Sequence, residues 1–215
     1  MELKHVFEKV NSALEDENAA REQGLGLARG GIRLSANSIR AAHRGDREEC
    51  KRLRAEAKDT ISRAQGILGP YPRIYHAGFL QDSEKEYAEA CATAAMIEGQ
   101  PIPLPDELGV GVAPYLNGLG EAVGEMRRHV LDLMRTGRLE RGEELLGTMD
   151  DIYFLLASLD YPDAITGSLR RTNDMVRSVL ERTRGDLTTA IRRDSLERTI
   201  KELEEKLAAR DEKEE

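Results

Sequence analysis

The chain has 215 residues, a formal net charge of −8, 40% hydrophobic and 33% charged residues, and no Trp. That length suits one ordinary domain with a sizeable core, and charges that alternate in sign exclude wholesale disorder. Aromatics at 4% argue against sandwiches and barrels, whose strands need aromatic and β-branched residues, so an abundance of Ala, Leu, Glu and Arg predicts an all-α protein.

The first helix is expected over roughly Leu3 to Arg44, interrupted or bent near Gly24, Gly26, Gly30 and Gly31, since glycine is a poor helix former. Gly45-Asp46 reads as a stop and restart, and a second helix follows to Leu68, ended by Gly69-Pro70-Tyr71-Pro72. A third starts near Arg73 or Ser83 and runs to Glu98, before a Gly99 to Pro105 segment whose alternating prolines favour extended backbone. A fourth follows Pro114 to Gly137, a fifth spans Arg138 to Leu159, and a sixth starts near Ile165 and breaks at Arg184-Gly185-Asp186. The last is expected from Leu187 to Ala209. The pattern is one helical domain over residues 1–209 with a charged, mobile tail at 210–215.

Cys50 and Cys91 have no CxxC spacing, which signals neither zinc nor a disulfide framework and fits a reducing, cytoplasmic setting. The N-terminus lacks the apolar stretch of a signal peptide. The longest uncharged apolar run, Ala90 to Ile97, is less than half of the roughly 20 residues that span a bilayer, so no membrane partner is expected. Motifs for nucleotide phosphates, zinc proteases and serine hydrolases are absent: Gly24-Leu25-Gly26 lacks the further glycine of a dinucleotide fingerprint and follows no strand.

The acidic total hides a segregation. From Arg21 to Arg63 there are eleven basic against six acidic residues, whereas Lys201 to Glu215 holds four against seven. On an ideal helix Arg29, Arg33, Arg40, Arg44 and Arg47 fall within a sector of about 60°, with His43 beside them and Leu27, Leu34 and Ala41 opposite. Such a stripe offers guanidiniums to phosphate oxygens, or is simply a solvated basic face.

Two carboxylate pairs stand out. Glu86 and Glu89 are three apart, and Glu121 and Glu125 four apart, so each pair shares one helical face. Four acids on two helices in Ala-, Gly- and Leu-rich settings suit Mg²⁺ or Mn²⁺, which prefer hard oxygen ligands. Pairing with arginine, or exposure at a helix end, serves them equally well. Tyr71, Tyr75, Phe79 and Tyr87 cluster around the third helix and read as core packing, with base stacking the minor alternative.

Four stretches carry a family resemblance. RLSANSIRAAHRGD, KEYAEACATAAMIEG, PYLNGLGEAVGEMRR and SLRRTNDMVRSVLERT, in that order, resemble the translin and TRAX superfamily, and specifically its archaeal TRAX-like members. The resemblance covers most of the chain. It implies a protomer of about seven helices assembling into a closed hollow octamer around single-stranded or weakly structured RNA, and ssDNA as a further partner. It also implies a magnesium-dependent endoribonuclease with Glu86, Glu89, Glu121 and Glu125 as the catalytic and metal-binding acids; the family more often has Asp at the place of Glu121, so Glu86, Glu89 and Glu125 are the first expected to hold the metal. Arg29, Arg33, Arg40, His43, Arg44, Arg73 and His76 are the expected nucleic-acid contacts, the last two by carry-over from a basic, aromatic-rich stretch that is largely lost here. A non-catalytic nucleic-acid-binding oligomer is the alternative.

Overall fold

The structure, a computed structural model, describes residues 2–214. Among these residues there are six long helices: α1 (Glu2–Arg44), α2 (Arg47–Leu68), α4 (Phe79–Glu98), α6 (Val112–Arg135), α7 (Leu139–Ala157) and α9 (Leu169–Glu214). Three single turns join them: α3 (Pro72–Tyr75), α5 (Pro105–Leu108) and α8 (Asp163–Thr166). None of these helices is long and apolar enough to cross a membrane.

The expected interruption of α1 near its glycines is absent, and tertiary packing explains why. A Cβ on Gly31 would lie 2.4 Å from Ser83 Oγ and 3.0 Å from Ile61, so the glycine serves close packing on α2 and α4 rather than a break. Helix propensity lost at glycine, about 1 kcal/mol per residue, is offset by that contact. The stop does come at Gly45, with φ 76°. There the amides of Gly45 and Asp46 bond back to Ala42 and Ala41, and Asp46 then caps α2 by accepting from the Glu49 amide. The second expected break, at Arg184-Gly185-Asp186, is also absent. α9 runs through it because Thr183 and Leu187 are buried on either side and Arg127 grips Asp186 at 2.8 Å. The tail expected from Arg210 continues α9 to Glu214, and Glu215 lies outside the described residues.

α4 is the central element. Its run from Ala90 to Met96 is buried on every side, with α1 and α2 against one flank and α6 against the other. α1, α4, α6 and α9 run in one direction, with α2 and α7 antiparallel to them: Gly24 of α1 meets Leu68 at the end of α2, while Gly120 of α6 meets both Thr172 early in α9 and Leu156 late in α7. Two parallel neighbours need a crossover, and residues 99–111 supply it between α4 and α6. Buried Glu84 pins that loop, accepting from Gln65 Nε2 at 2.7 Å and from the Gly111 amide at 3.3 Å.

The crossover sets α6 on α4 in close contact. A Cβ on Gly118 would fall 2.4 Å from the Lys85 carbonyl oxygen and 3.0 Å from the Glu89 amide, so only glycine lets the two backbones approach this far. Asn117 fixes the start of α6, donating to the Thr166 carbonyl at 2.8 Å and accepting from Thr172 Oγ1 at 2.5 Å. The larger core, with Val123, Met126, Val130, Leu145, Met149 and Val176 at its centre, fills the space among α6, α7 and α9. Tyr87 is buried and Tyr75 and Phe79 pack beside it, as core residues.

Candidate metal centre and nucleic-acid interface

Close approach at Gly118 determines what α4 and α6 present to each other one turn later. Glu86 and Glu89 project from α4 and Glu121 from α6, and one carboxylate oxygen of each lies within 4.8 Å of the other two. All three are partly buried. Burial and the charges of Glu86, Glu121 and Glu125 push Glu89 up to about 8, because three neighbouring carboxylates disfavour a fourth negative charge. Burial also raises Glu86, against the opposing pull of Lys85.

Glu125 sits beside this trio in a different state. His43 Nε2, from the end of α1, lies 2.5 Å from its carboxylate, and Arg128 lies 3.8 Å away. The histidine hydrogen bond holds Glu125 below its usual range. His43 was expected among the nucleic-acid contacts, but its side chain is only 4% exposed and is committed to Glu125.

Lys85 is a cluster member that sequence reasoning passed over. Its Nζ is 2.6 Å from Glu121 and 3.7 Å from Glu86, and these carboxylates raise its pKa against the effect of burial. The one signal for it was adjacency to Glu86. A residue one position away on a helix faces about 100° off, so only a long flexible stem that crosses to α6 brings it in.

The oxygens of Glu86, Glu89 and Glu121 form a donor set suited to a hard divalent cation. One cavity borders this set through Glu121, and a second lies on the other side of His43. The first, of about 500 Å³, is lined by Lys85 and Glu121 together with Gln81, Asn117, Arg171 and Thr172. The second has a volume of about 340 Å³.

The remaining sequence-derived contacts are on the surface. Arg29, Arg33, Arg40 and Arg44 are exposed along α1, Arg40 donating to Asn37 Oδ1, while Leu27, Leu34 and Ala41 on the opposite side pack inward. Arg47 starts α2 beyond the turn and leaves the stripe. Arg73 and His76 are exposed at the α3 turn, with the His76 ring edge-on to Tyr75 at 4.9 Å.

Relatives at comparable chain length identify the family. A structure of AfC3PO in complex with duplex RNA superposes with a TM-score of 0.78 at 32% sequence identity, covering 88% of this chain and 96% of that one. AfC3PO alone gives the same score and identity with 97% of its chain covered. A curated relative, an uncharacterized protein of Methanocaldococcus jannaschii, is 31% identical over 193 residues, 89% of this chain and 85% of its own. The chain belongs to the translin/TRAX family. At 22% identity and a TM-score of 0.72, apo-NeC3PO shares the fold, with 87% of this chain and 96% of that one covered. No family model matches the chain. Membership explains the co-occurrence of the four sequence stretches: the second and third are the segments of α4 and α6 that meet at Gly118, and the first contains the His43 that reaches Glu125.

Proposed function

We propose that the protein is a divalent-cation-dependent endoribonuclease that hydrolyses phosphodiester bonds of single-stranded or weakly structured RNA within an oligomer. One observation carries the reading: Glu86, Glu89 and Glu121 bring carboxylate oxygens within 4.8 Å of one another, beside a cavity that Glu121 and Lys85 line. Glu86, Glu89 and Glu121 are the residues that would hold Mg²⁺ or Mn²⁺, which supplies Lewis-acid polarisation of a phosphoryl oxygen and a more acidic water. Glu125, kept ionised by His43, orients the attacking water by accepting its hydrogen bond. Lys85 sets a positive charge where the phosphoryl oxygens gain negative charge, and Arg40 and Arg44 hold the strand.

RNA as the partner draws support from AfC3PO, which is similar over most of this chain and was solved with duplex RNA. Self-association draws support from the surface. Leu3, Phe7, Val10 and Leu14 form an exposed apolar stripe at one end of α1, and Leu196, Ile200, Leu203 and Leu207 another at the end of α9. Both follow the alternating four- and three-residue spacing of a helix-pairing seam. An octamer is the assembly that the family resemblance implies.

A second reading is favoured by Lys85. With its ammonium 2.6 Å from Glu121, the cluster is partly neutralised from within, as in a passive RNA-binding oligomer. Labelled single-stranded and duplex RNA, incubated with Mg²⁺ or chelator, separates the two. Chelator-sensitive cleavage that Glu86→Gln abolishes while RNA retention survives supports the nuclease; retention without cleavage in the wild type refutes it in favour of the passive binder.

A further inference from the structure

The cavity beyond His43 has a chemistry of its own. Three guanidiniums, those of Arg44, Arg47 and Arg138, line it with His129, and Glu98 is the one carboxylate among its lining residues. Arg138 Nε donates to Thr136 Oγ1 at 3.2 Å. None of the three arginines forms an ion pair among the described residues, unlike Arg52, Arg127 or Arg184 elsewhere on the surface. The three side chains are exposed and Arg44 feels the Glu49 carboxylate, yet the concave site carries a surplus of positive charge. Burial first, and then the nearby charges of His43, Arg138 and Arg141 against that of Asp132, hold the His129 pKa down.

A second observation is independent of the arginines. His43 bridges the cavity and the acid cluster, with Nε2 on Glu125, yet its Nδ1 is buried with no hydrogen-bond partner among the described residues. A side chain 96% removed from solvent with one polar atom unmatched is costly unless something completes it. The His129 ring is 6.1 Å away, so both imidazoles border the same space.

We infer that this cavity is a phosphate subsite, which holds a backbone phosphate of the RNA strand next to the phosphodiester presented to the carboxylates. Planar guanidiniums suit bidentate contact with phosphate oxygens, and a water held by that phosphate donates its other hydrogen to His43 Nδ1, the acceptor left once Nε2–H is given to Glu125. His43 then acts as a positioning residue that ties strand placement on one side to Glu125 on the other. The strand as source of the phosphate rests on the RNA reading above; the anion chemistry of the cavity does not.

The test uses the full-length protein and two probes. Inorganic phosphate, compared with chloride at matched ionic strength, is expected to raise the melting temperature of the wild type, and Arg138→Gln and Arg47→Gln each to reduce that rise. Single-stranded RNA affinity, measured across a salt series, is expected to lose about 0.7 from its log–log slope in each variant, the signature of one phosphate contact removed. Mn²⁺ binding by calorimetry is expected to be unchanged, since the carboxylates are intact. An unchanged RNA slope with phosphate stabilisation lost makes the cavity a free-anion site and overturns the strand assignment. Neither effect in either variant overturns the subsite. If the wild type fails to bind Mn²⁺ while both phosphate effects hold, the nuclease reading falls and the subsite stands.

Discussion

Glu89→Gln tests the acid cluster as a physical object, separately from catalysis. Its carboxyl has a reference pKa of 4.5 and is pushed up to about 8 by burial and by Glu86, Glu121 and Glu125. A raised pKa means that the folded state binds the proton more tightly than the unfolded chain. The associated stability is therefore fully present below pH 4.5 and is lost as pH rises toward 8. Relative to an uncharged side chain of the same shape, the wild type is penalised by about 1 kcal/mol at pH 5 and about 3 kcal/mol at pH 7. Glutamine removes the titration, so the variant without added metal is expected to be more stable by up to those amounts. For a chain of this size that corresponds to roughly 6–12 °C at pH 7. Thermal melts at pH 5, 6, 7 and 8, at fixed protein concentration and with chelator, read the difference directly. Mg²⁺ or Mn²⁺ should reverse the order, stabilising the wild type by mass action and leaving the variant nearly unmoved. A variant that melts at or below the wild type at every pH would show that Glu89 is not held among uncompensated carboxylates, and the cluster argument would be wrong.

Three further expectations follow from named contacts. Gly118→Ala drives a methyl group into the Lys85 carbonyl, 2.4 Å from its ideal position, and should cost about 1–3 kcal/mol while weakening divalent-cation binding through displacement of Glu121; circular dichroism melts and calorimetry check both. Lys85→Ala removes the internal counter-charge of Glu86 and Glu121, so the metal-free protein should melt lower and the cation-induced rise in melting temperature should grow; a smaller rise would refute competition between Lys85 and metal. Ile200→Glu with Leu203→Glu places charge on the exposed stripe of α9 and should lower the assembly state in sedimentation or light scattering without loss of helicity, whereas an unchanged mass would take that stripe out of the interface.

Residue pattern alone determined the all-α class, most helix ends and the facing of each carboxylate pair. These follow from local rules: two prolines stop α2, a glycine and an aspartate separate it from α1, and a spacing of three or four puts Glu86 with Glu89 and Glu121 with Glu125 on one face. Those same rules misplaced two breaks. The glycines in α1 and Gly185 in α9 lie within continuous helices, since propensity near 1 kcal/mol yields to the packing of long neighbours.

Only the tertiary structure decided which acids meet. The resemblance put Glu86, Glu89 and Glu125 ahead of Glu121 as ligands, but the approach permitted by Gly118 gathers Glu86, Glu89 and Glu121, while His43, eighty-two positions away in the chain, takes Glu125 for itself. Lys85, His129 and Arg138 entered the picture for the same reason. Helical periodicity reports direction around one axis, whereas the distance between side chains on different helices depends on how closely their backbones pack, which no single segment encodes.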